Sequence, residues 1–531
     1  MTFDLIRSNG NAARTLVAIF LSISVLGTYS GCGAEAPPVE TSPEPEIGDS
    51  ETRARPEPGL ILLISVDTLR ADHLGLYGHH RFTSPSLDLF ALGGTVFEDA
   101  SSVAPWTLPA HASMLTGLYP LSHGVIDVDR KLPKEIPTLA RLLADGGWTT
   151  AAAVNSSWLL KDRHEVTRDF DHFLFVEDIA DERLPTTAIT NRALHWIREF
   201  KDSNLFIFMH YYDIHSDYAS IPRYEKLLVS EYDGKVDGTT WQLNIASMPD
   251  AYIESCKADF DKEKCTFGGG DPPRYVDGST EKIEFQVDDL QHLEELYDAG
   301  IRQFDDELNR LFKALAAENR LESAQIIITS DHGEEFSEHG SFYHFITTYQ
   351  EILHVPLIFR GHGIAPNRRV SAPVSIVDIV PTILGWAKIE APPATEGIDL
   401  GPLLEISGRE DETRRAETEL MKRFQYAEAA GGLQWERTAE GLVPTFSSIR
   451  QGNFKWVNRS EGWESALYDL SNDPGERSNI AHERPALAES LREAMEIRRA
   501  EMDSRPQSIT TIEIDPEEAD RLRALGYIID E

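Results

Sequence analysis

Cysteine is scarce: the chain has 531 residues and only three cysteines, Cys32, Cys256 and Cys265. Neither Cys256 nor Cys265 has a further cysteine or a histidine at metal-ligand spacing, which argues against a cysteine-based zinc site. If the chain is exported, a disulfide between these two residues is expected, and two reduced structural thiols are the alternative.

Basic residues are also few, since 50 Lys and Arg stand against 88 Asp and Glu, for a formal net charge of −38. Such a charge repels nucleic acid and anionic membranes at long range, so neither is an expected partner. It also repels an anionic substrate unless a metal ion or local basic groups create the binding potential. Solubility alone is the alternative explanation of this acidity.

Long apolar runs are missing as well. The apolar run at residues 16–26 follows Arg7 and Arg14 and is too short to span a bilayer comfortably, but it suits the core of a signal peptide. Ser30-Gly31-Cys32 resembles the cleavage box of a bacterial lipoprotein. We therefore expect residues 1–32 to be a signal peptide, with Cys32 lipidated and the protein facing the periplasm or the exterior.

The alternatives at the N-terminus are plain secretion after cleavage and an uncleaved anchor. Residues 33–58 are rich in Pro and Glu and poor in apolar side chains, which predicts a disordered linker. The expected contact with a membrane is through the lipid anchor alone.

Short apolar runs alternate with segments of helical periodicity. Residues 60–66 are continuously apolar, as expected of a strand buried on both faces of a parallel sheet. The longest helical pattern covers residues 290–315. Further strand-like runs lie at 149–154, 205–209, 325–329 and 355–359. This alternation predicts an α/β fold of three layers, with a large, mostly parallel sheet between helices.

Thr107 is the first candidate for chemistry. It stands just before a short helix that Pro109 can open and Gly117 can close. Backbone N–H groups and the positive end of the helix dipole then lie near its hydroxyl, which suits a nucleophile that attacks an anionic ester. The alternative is that Thr107 only caps the helix.

Hard metal ligands lie at the ends of two distant apolar runs. Asp67 follows the run that begins at residue 60, and Asp331 and His332 follow the run that begins at residue 325. A hydroxyl and such ligands at the ends of separate strands suggest metal-assisted ester hydrolysis. Taken singly, each acidic residue has a simpler explanation as a strand-end cap.

These segments together resemble the sulfatase family, within the alkaline-phosphatase-like superfamily. The family signature is Cys or Ser, any residue, Pro, Ser, Arg, and then a helix that reaches Thr-Gly. Residues 107–117 of this chain carry its counterpart, with Thr first and His111 in place of Arg. Further matching segments follow in order at residues 65–67, 74–75, 329–334, 339–340, 355–358, 467–470 and 473–476.

The resemblance covers nearly the whole chain beyond residue 58. It implies a sulfatase-like catalytic domain at 59–415 and a small C-terminal α+β subdomain at 416–531, where strands are predicted within 446–457 and a helix over 484–502. A polar, Gly-rich insertion at about 216–282 either shapes the site or is a surface excursion without a role.

The resemblance also implies the nucleophile and the metal ligands. The family oxidises a cysteine or serine to formylglycine at position 107, but threonine cannot undergo that conversion, so no formylglycine is expected. A plain hydroxyl needs a metal and the helix end to become reactive. The implied ligands are Asp67, Thr107, Asp331 and His332. Because Thr68 replaces a usual Asp and His332 a frequent Asn, zinc or manganese is expected rather than calcium.

Three histidines complete the expected site. His215 matches the family's histidine, and His344 lies where many sulfatases have a substrate-binding lysine, so a protonated imidazole is expected to assist the leaving group. Asp213, His215 and His344 are alternatively a second metal site. His111 either hydrogen-bonds near the nucleophile or packs as a structural histidine.

The sequence thus predicts a metal-dependent hydrolase that cleaves an anionic sulfate or phosphate ester through Thr107. The alternatives within enzymes are a phosphodiesterase or phosphonate hydrolase and a transferase of phospho-groups to the envelope. The alternative outside enzymes is a non-catalytic binding protein with the same fold.

Overall fold

The computed structural model describes eleven stretches of the chain. The predicted signal peptide, Cys32, the predicted linker and Cys265 lie outside them, whereas Cys256 lies inside and is disulfide-bonded. All described residues belong to one unit, Glu57–Glu531. The described stretches are 59–176, 184–247, 250–258, 266–267, 274–275, 280–281, 284–406, 410–429, 446–459, 464–504 and 510–512.

Strands and helices are numbered in chain order. The strands are β1 (Leu60–Val66), β2 (Gly94–Ser101), β3 (Arg130–Lys131), β4 (Thr149–Val154), β5 (His172–Phe175), β6 (Leu205–Tyr211), β7 (Thr266–Phe267), β8 (Arg274–Tyr275), β9 (Gln325–Ser330), β10 (Glu335–Phe336), β11 (Phe342–Tyr343), β12 (His354–Gly361), β13 (Arg368–Val370), β14 (Val374–Ser375), β15 (Phe424–Glu428), β16 (Phe446–Gln451), β17 (Phe454–Arg459), β18 (Ala466–Asp469) and β19 (Thr510–Thr511).

The helices are α1 (Pro85–Ala91), α2 (Thr107–Thr116), α3 (Pro120–His123), α4 (Leu139–Asp145), α5 (Leu184–Glu199), α6 (Pro222–Leu228), α7 (Thr240–Ser247), α8 (Asp250–Ala258), α9 (Val287–Ala317), α10 (Gln350–Leu353), α11 (Ile379–Ala387), α12 (Gly401–Leu404), α13 (Glu410–Lys422) and α14 (Pro485–Asp503). Short 3₁₀ helices lie at Ala71–His73, Gly75–Tyr77, Ser157–Leu159 and Ile376–Asp378.

The large central sheet has the strand order β13-β2-β12-β9-β1-β6-β4-β5, and β14 also pairs with β2. β1 lies parallel to both of its neighbours, β6 and β9. β12 runs antiparallel to β9 and β2, and the other pairings of this sheet are parallel. The predicted α/β fold with a large, mostly parallel sheet is confirmed.

The centre of the sheet is covered on both faces. Every residue of β1 is buried, and successive side chains of a strand point to opposite faces, so helices and loops must cover both. The longest covering helix is α9, which begins with a capping box between Gln286 and Asp289. Its buried apolar stripe includes Leu293, Phe304 and Leu311 and packs into the main core.

The register of the sheet places the ends of three strands side by side. Val66 at the end of β1 is level with Tyr211 of β6 on one side and with Ser330 of β9 on the other. Residues that follow these strands therefore meet at one edge of the sheet, which is where open α/β sheets commonly bind ligands.

A small antiparallel sheet, with the order β15-β16-β17-β18, forms the C-terminal part together with α14. A buried ion pair ties this sheet to the segment that follows β18: Lys455 Nζ on β17 lies 2.9 Å from Glu476 Oε1. The same ammonium donates to the backbone oxygen of Thr348 at 2.5 Å, which connects this sheet to the segment that follows the site.

The predicted domain boundaries stay predictions. The boundary between residues 415 and 416 falls inside α13, and the described parts of the predicted insertion contain the helices α6, α7 and α8 and the short strands β7 and β8 besides loops. Within the described residues, no helix combines the length and the apolar character that crossing a membrane requires.

Candidate active site and metal centre

Thr107 is the first residue of α2 and lies at the ligand-binding edge of the sheet. Trp106 before it is extended, with φ −158° and ψ 160°, so the helix starts abruptly at the hydroxyl. The helix ends at Gly117, whose φ of 71° lies in the left-handed region that favours glycine. Thr107 Oγ1 is buried and donates a hydrogen bond to Asp67 Oδ2 at 3.4 Å.

Two carboxylates face each other next to this hydroxyl. Asp67 follows β1, and Asp331 follows β9; both are fully buried. Asp331 Oδ1 accepts the backbone N–H groups of Thr68 at 3.3 Å and of His332 at 3.0 Å. These bonds fix the carboxylate and leave its other oxygen, Oδ2, turned toward Asp67 and His332.

His332 closes the cluster. Its Nδ1 donates to the backbone oxygen of Gly333 at 2.9 Å, so the lone pair is on Nε2. Nε2 lies 3.6 Å from Asp67 Oδ1 and 3.4 Å from Asp331 Oδ2. Among the described residues, these three atoms have no hydrogen-bond partner although they are buried.

This donor set fits a divalent cation. Burial raises the pKa of the Asp67 carboxyl, and burial together with the charge of Asp67 raises the pKa of the Asp331 carboxyl. An ion of charge 2+ would match two such carboxylates, which are costly to bury alone. Ligand atoms about 3.4 Å apart are also what a tetrahedral zinc with bonds of about 2.1 Å requires. Asp67, Thr107, Asp331 and His332 would hold the ion.

His215 and His344 lie next to this cluster and are also buried. The ring centre of His344 is 4.4 Å from that of His332 and 5.0 Å from that of His215. His344 Nδ1 is hydrogen-bonded to Glu334 Oε1 at 2.9 Å, and its Nε2 has no partner among the described residues. His215 Nδ1 donates to the backbone oxygen of Ser216 at 2.7 Å.

Both of these imidazoles are neutral in the free protein. Burial lowers the pKa of His215 to about 4, despite the nearby carboxylate of Asp67. Burial and the neighbouring rings of His332 and His215 lower the pKa of His344 well below its usual range. Burial thus works against the protonated His344 that the sequence predicts, and its role toward the leaving group stays a prediction.

The structure does not bring the predicted second metal set together. Asp213 accepts a hydrogen bond from Thr186 Oγ1, away from the two histidines. Within the described part of the chain, no cluster of potential ligands combines Asp213 with His215 and His344.

His111 supports the first turn of α2, which carries Thr107. Its Nδ1 donates to the backbone oxygen of Thr107 at 2.8 Å, and its Nε2 accepts from Ser65 Oγ at 3.0 Å. Burial lowers its pKa to about 3, so the ring is neutral and both nitrogens are occupied. The His111 imidazole lies beside Thr107 and holds its backbone in place.

Neither His210 nor Glu334 is among the site residues predicted from the sequence, yet both are buried at the site. A signal for His210 exists: it is a polar residue inside a strand that is otherwise apolar or aromatic. For Glu334 the order of residues gives no such signal, because its contact with His344 depends on the path of the intervening loop.

The fold agrees with the comparison to known families. Residues 60–389 match the sulfatase family, and residues 337–501 match the C-terminal family of N-sulphoglucosamine sulphohydrolase. The chain belongs to the sulfatase family. This membership confirms the resemblance that the motifs indicate.

Some relatives match a short part of this chain at about 31% identity, and others match most of it at a lower identity. Arylsulfatase K of Mus musculus is 31% identical over 210 residues, which is 39% of this chain and 36% of that protein. The chain thus spans only about a third of the arylsulfatase K relatives that it matches. N-acetylglucosamine-6-O-sulfatase of Bacteroides thetaiotaomicron is 24% identical over 475 residues, covering 79% of this chain and 82% of that protein.

Solved structures share the fold. A protein in complex with its substrate D-glucosamine-2-N,6-O-disulfate has a TM-score of 0.64 at 21% identity, covering 85% of this chain and 99% of its own. Phosphonate monoester hydrolase of Agrobacterium radiobacter has a TM-score of 0.62 at 19% identity, covering 84% of this chain and 96% of its own. At these identities the likeness shows the fold alone.

Proposed function

We propose that the protein is a divalent-metal-dependent hydrolase of sulfate or phosphate esters that uses Thr107 as its nucleophile. One observation carries the proposal. The Thr107 hydroxyl, at the first turn of α2, lies 3.4 Å from Asp67 Oδ2, on the carboxylate that shares a ligand cluster with Asp331 and His332. A buried hydroxyl beside unpartnered ligand atoms is the arrangement that an activated alcohol needs.

The chain's own groups prepare the attack. A bound divalent cation would lower the pKa of the hydroxyl and polarise the ester. Asp67 Oδ2 accepts the hydrogen bond of Thr107 and so orients Oγ1. The positive end of the α2 dipole, at the same residue, favours the negative charge of the incoming ester. His111 Nδ1 donates to the backbone oxygen of Thr107 and so holds this residue in place.

The reaction then has two steps. Thr107 Oγ1 passes its proton to Asp67 Oδ2 and forms a bond to sulfur or phosphorus while the bond to the leaving oxygen breaks. His344 donates a hydrogen bond from Nε2–H to that oxygen as its charge develops, in the tautomer whose Nδ1 accepts from Glu334, a carboxyl whose pKa burial raises. Water then releases sulfate or phosphate from Thr107 and restores the hydroxyl. The ring of His215 lies 5.0 Å from that of His344, next to the same cluster.

The expected substrates are anionic esters. Threonine in place of the formylglycine precursor, with two carboxylates and an imidazole as ligands, favours zinc or manganese and a phosphate ester or phosphonate. The sulfatases among the relatives and the phosphonate monoester hydrolase among the fold neighbours support the same two substrate classes. Export and lipid anchoring at Cys32 belong to the proposal and rest on the N-terminal sequence.

The experiment compares Thr107→Ala with Thr107→Ser on 4-nitrophenyl esters of sulfate, phosphate, phosphate diester and phenylphosphonate, each with zinc, manganese or calcium. We expect Thr107→Ala to lose at least about a thousand-fold in kcat on the best substrate, whereas Thr107→Ser retains turnover. Thr116→Ala is the matched control, since its hydroxyl at the far end of α2 bonds the Ala112 backbone. Unchanged turnover of Thr107→Ala would disprove the proposed nucleophile.

A further inference from the structure

His210 is a buried histidine with no assigned role. It lies in β6, is fully buried, and is level with Ser65 of the neighbouring β1. Neither of its ring nitrogens has a hydrogen-bond partner among the described residues. A buried imidazole with both nitrogens unsatisfied is costly, so a group that binds one of them is expected.

The ring faces the proposed metal ligands. His210 Nε2 lies 3.2 Å from Asp67 Oδ2, the oxygen that also accepts the Thr107 hydroxyl. This approach lacks the geometry of a hydrogen bond, because the nitrogen is among the atoms without a partner. His210 also forms a cluster of ligand distance with Asp331 and His111. Nε2 of His210 thus lies beside one carboxylate of the site, and a ring nitrogen of His210 lies within 4.8 Å of the other.

His111 does not turn this second cluster into a separate site. Both of its nitrogens are occupied, one by the Thr107 backbone and one by Ser65. Asp331 belongs to both clusters, so the two clusters share one carboxylate, and His210 Nε2 lies 3.2 Å from Asp67 Oδ2 of the other cluster.

We propose that His210 is a further ligand of the cation held by Asp67, Asp331 and His332. The proposal rests on the proposed function and deepens it. It gives the site two imidazoles besides its two carboxylates and the threonine hydroxyl. Imidazole nitrogen suits zinc and other transition metals and is a poor ligand for calcium, so His210 favours a transition metal at this site.

The test measures metal binding without turnover. The full chain is stripped with a chelator, and the dissociation constant for Zn²⁺ is determined by competition with a coloured chelator for the wild type, His210→Asn and His210→Gln. The cobalt-loaded forms are compared by their visible absorption spectra. We expect both variants to bind Zn²⁺ at least about a hundred-fold more weakly and the cobalt spectrum to change.

His164→Asn is the matched control. His164 is also fully buried and has one nitrogen without a partner, but it belongs to none of the ligand clusters within the described residues. This variant should bind Zn²⁺ as the wild type does. Circular dichroism of each variant identifies any loss of fold. If one of the two His210 variants is unfolded, the affinity for Zn²⁺ of the other decides the test.

The outcomes separate this inference from the proposed function. Wild-type affinity and an unchanged cobalt spectrum in the His210 variants, together with loss of activity in Thr107→Ala, would overturn the inference alone. A wild-type chain that binds neither Zn²⁺ nor Co²⁺ would overturn both. A selective loss in the His210 variants supports both.

Discussion

His344 is held in place from two sides. Its Nδ1 is bonded to Glu334 Oε1, and the residues on either side of it, Tyr343 and Phe345, have φ angles of 76° and 97°. Non-glycine residues rarely adopt this left-handed backbone, and such strain persists where the surroundings enforce it. The imidazole is therefore fixed in its orientation before a substrate arrives.

Glu334 should act as a positioning residue for His344. Glu334→Met removes the hydrogen bond at similar volume, and we expect kcat to fall about 10- to 100-fold, as for other residues that orient an active imidazole. The loss should be larger for phenyl than for 4-nitrophenyl esters, because the poorer leaving group depends more on His344.

Glu334→Gln should recover most of the activity, since the amide N–H can donate to His344 Nδ1 in place of the carboxyl group. Steady-state kinetics with the two esters measure both effects. An equal loss for both leaving groups would assign Glu334 to folding rather than to orienting His344.

At the residue scale, the sequence is enough to propose site residues that belong to a recognisable motif. It is not enough where a property of the side chain depends on its burial or contacts in the folded chain. Thr107, Asp67 and Asp331 could be proposed because each follows a recognisable element boundary. The protonation of His344 and the partner of Asp213 could not, because they depend on desolvation and on Thr186, a contact made across the fold.

At the element scale, α3 contains a histidine that must stay neutral. His123 Nδ1 accepts the backbone N–H of Val125 at 3.1 Å, and its Nε2 is 3.0 Å from Ser113 Oγ on α2. Protonation would remove the acceptor. Burial accordingly lowers the pKa of His123 to about 3.

This histidine should make stability depend on pH. Its pKa is depressed in the folded state relative to about 6.5 in the unfolded chain, so its contribution is complete above that value and is lost as the pH falls toward 3. His123→Asn keeps an acceptor without the titration. We expect its free energy of unfolding to fall less steeply between pH 6 and pH 4, by about 1.4 kcal/mol per pH unit.

Urea unfolding at several pH values measures this slope. His482→Asn is the control, since the His482 side chain is 90% exposed and it should follow the wild type. A slope of His123→Asn equal to that of the wild type would contradict the assignment.

The elements themselves follow closely from the sequence. β1, β4 and β9 appear where continuous apolar runs predict them, and α9 extends the predicted 290–315 helix by three residues at its start and two at its end. The position of β12 between β9 and β2, antiparallel to both, could not be read from its own residues. Strand order depends on pairings between distant segments, which periodicity does not encode.

At the scale of the whole molecule, the net charge of −38 opposes the approach of an anionic substrate. Salt shortens the reach of this repulsion, since the Debye length falls from about 30 Å at 0.01 M to about 10 Å at 0.1 M. We expect kcat/KM for an anionic ester to rise about two- to ten-fold over this range.

Initial rates in sodium chloride measure the effect, with sucrose at equal osmolarity as the control. A fall in kcat/KM with added salt would show that local positive potential at the site, rather than the overall charge, governs the encounter.

The bond from Thr68 N–H to Asp331 Oδ1 joins residues that are 263 positions apart. A nascent chain therefore has no complete pocket for a cation until β9 has left the ribosome and inserted beside β1. Loading with metal must follow assembly of the central sheet, and an intermediate that lacks this pairing would be unable to capture the ion prematurely.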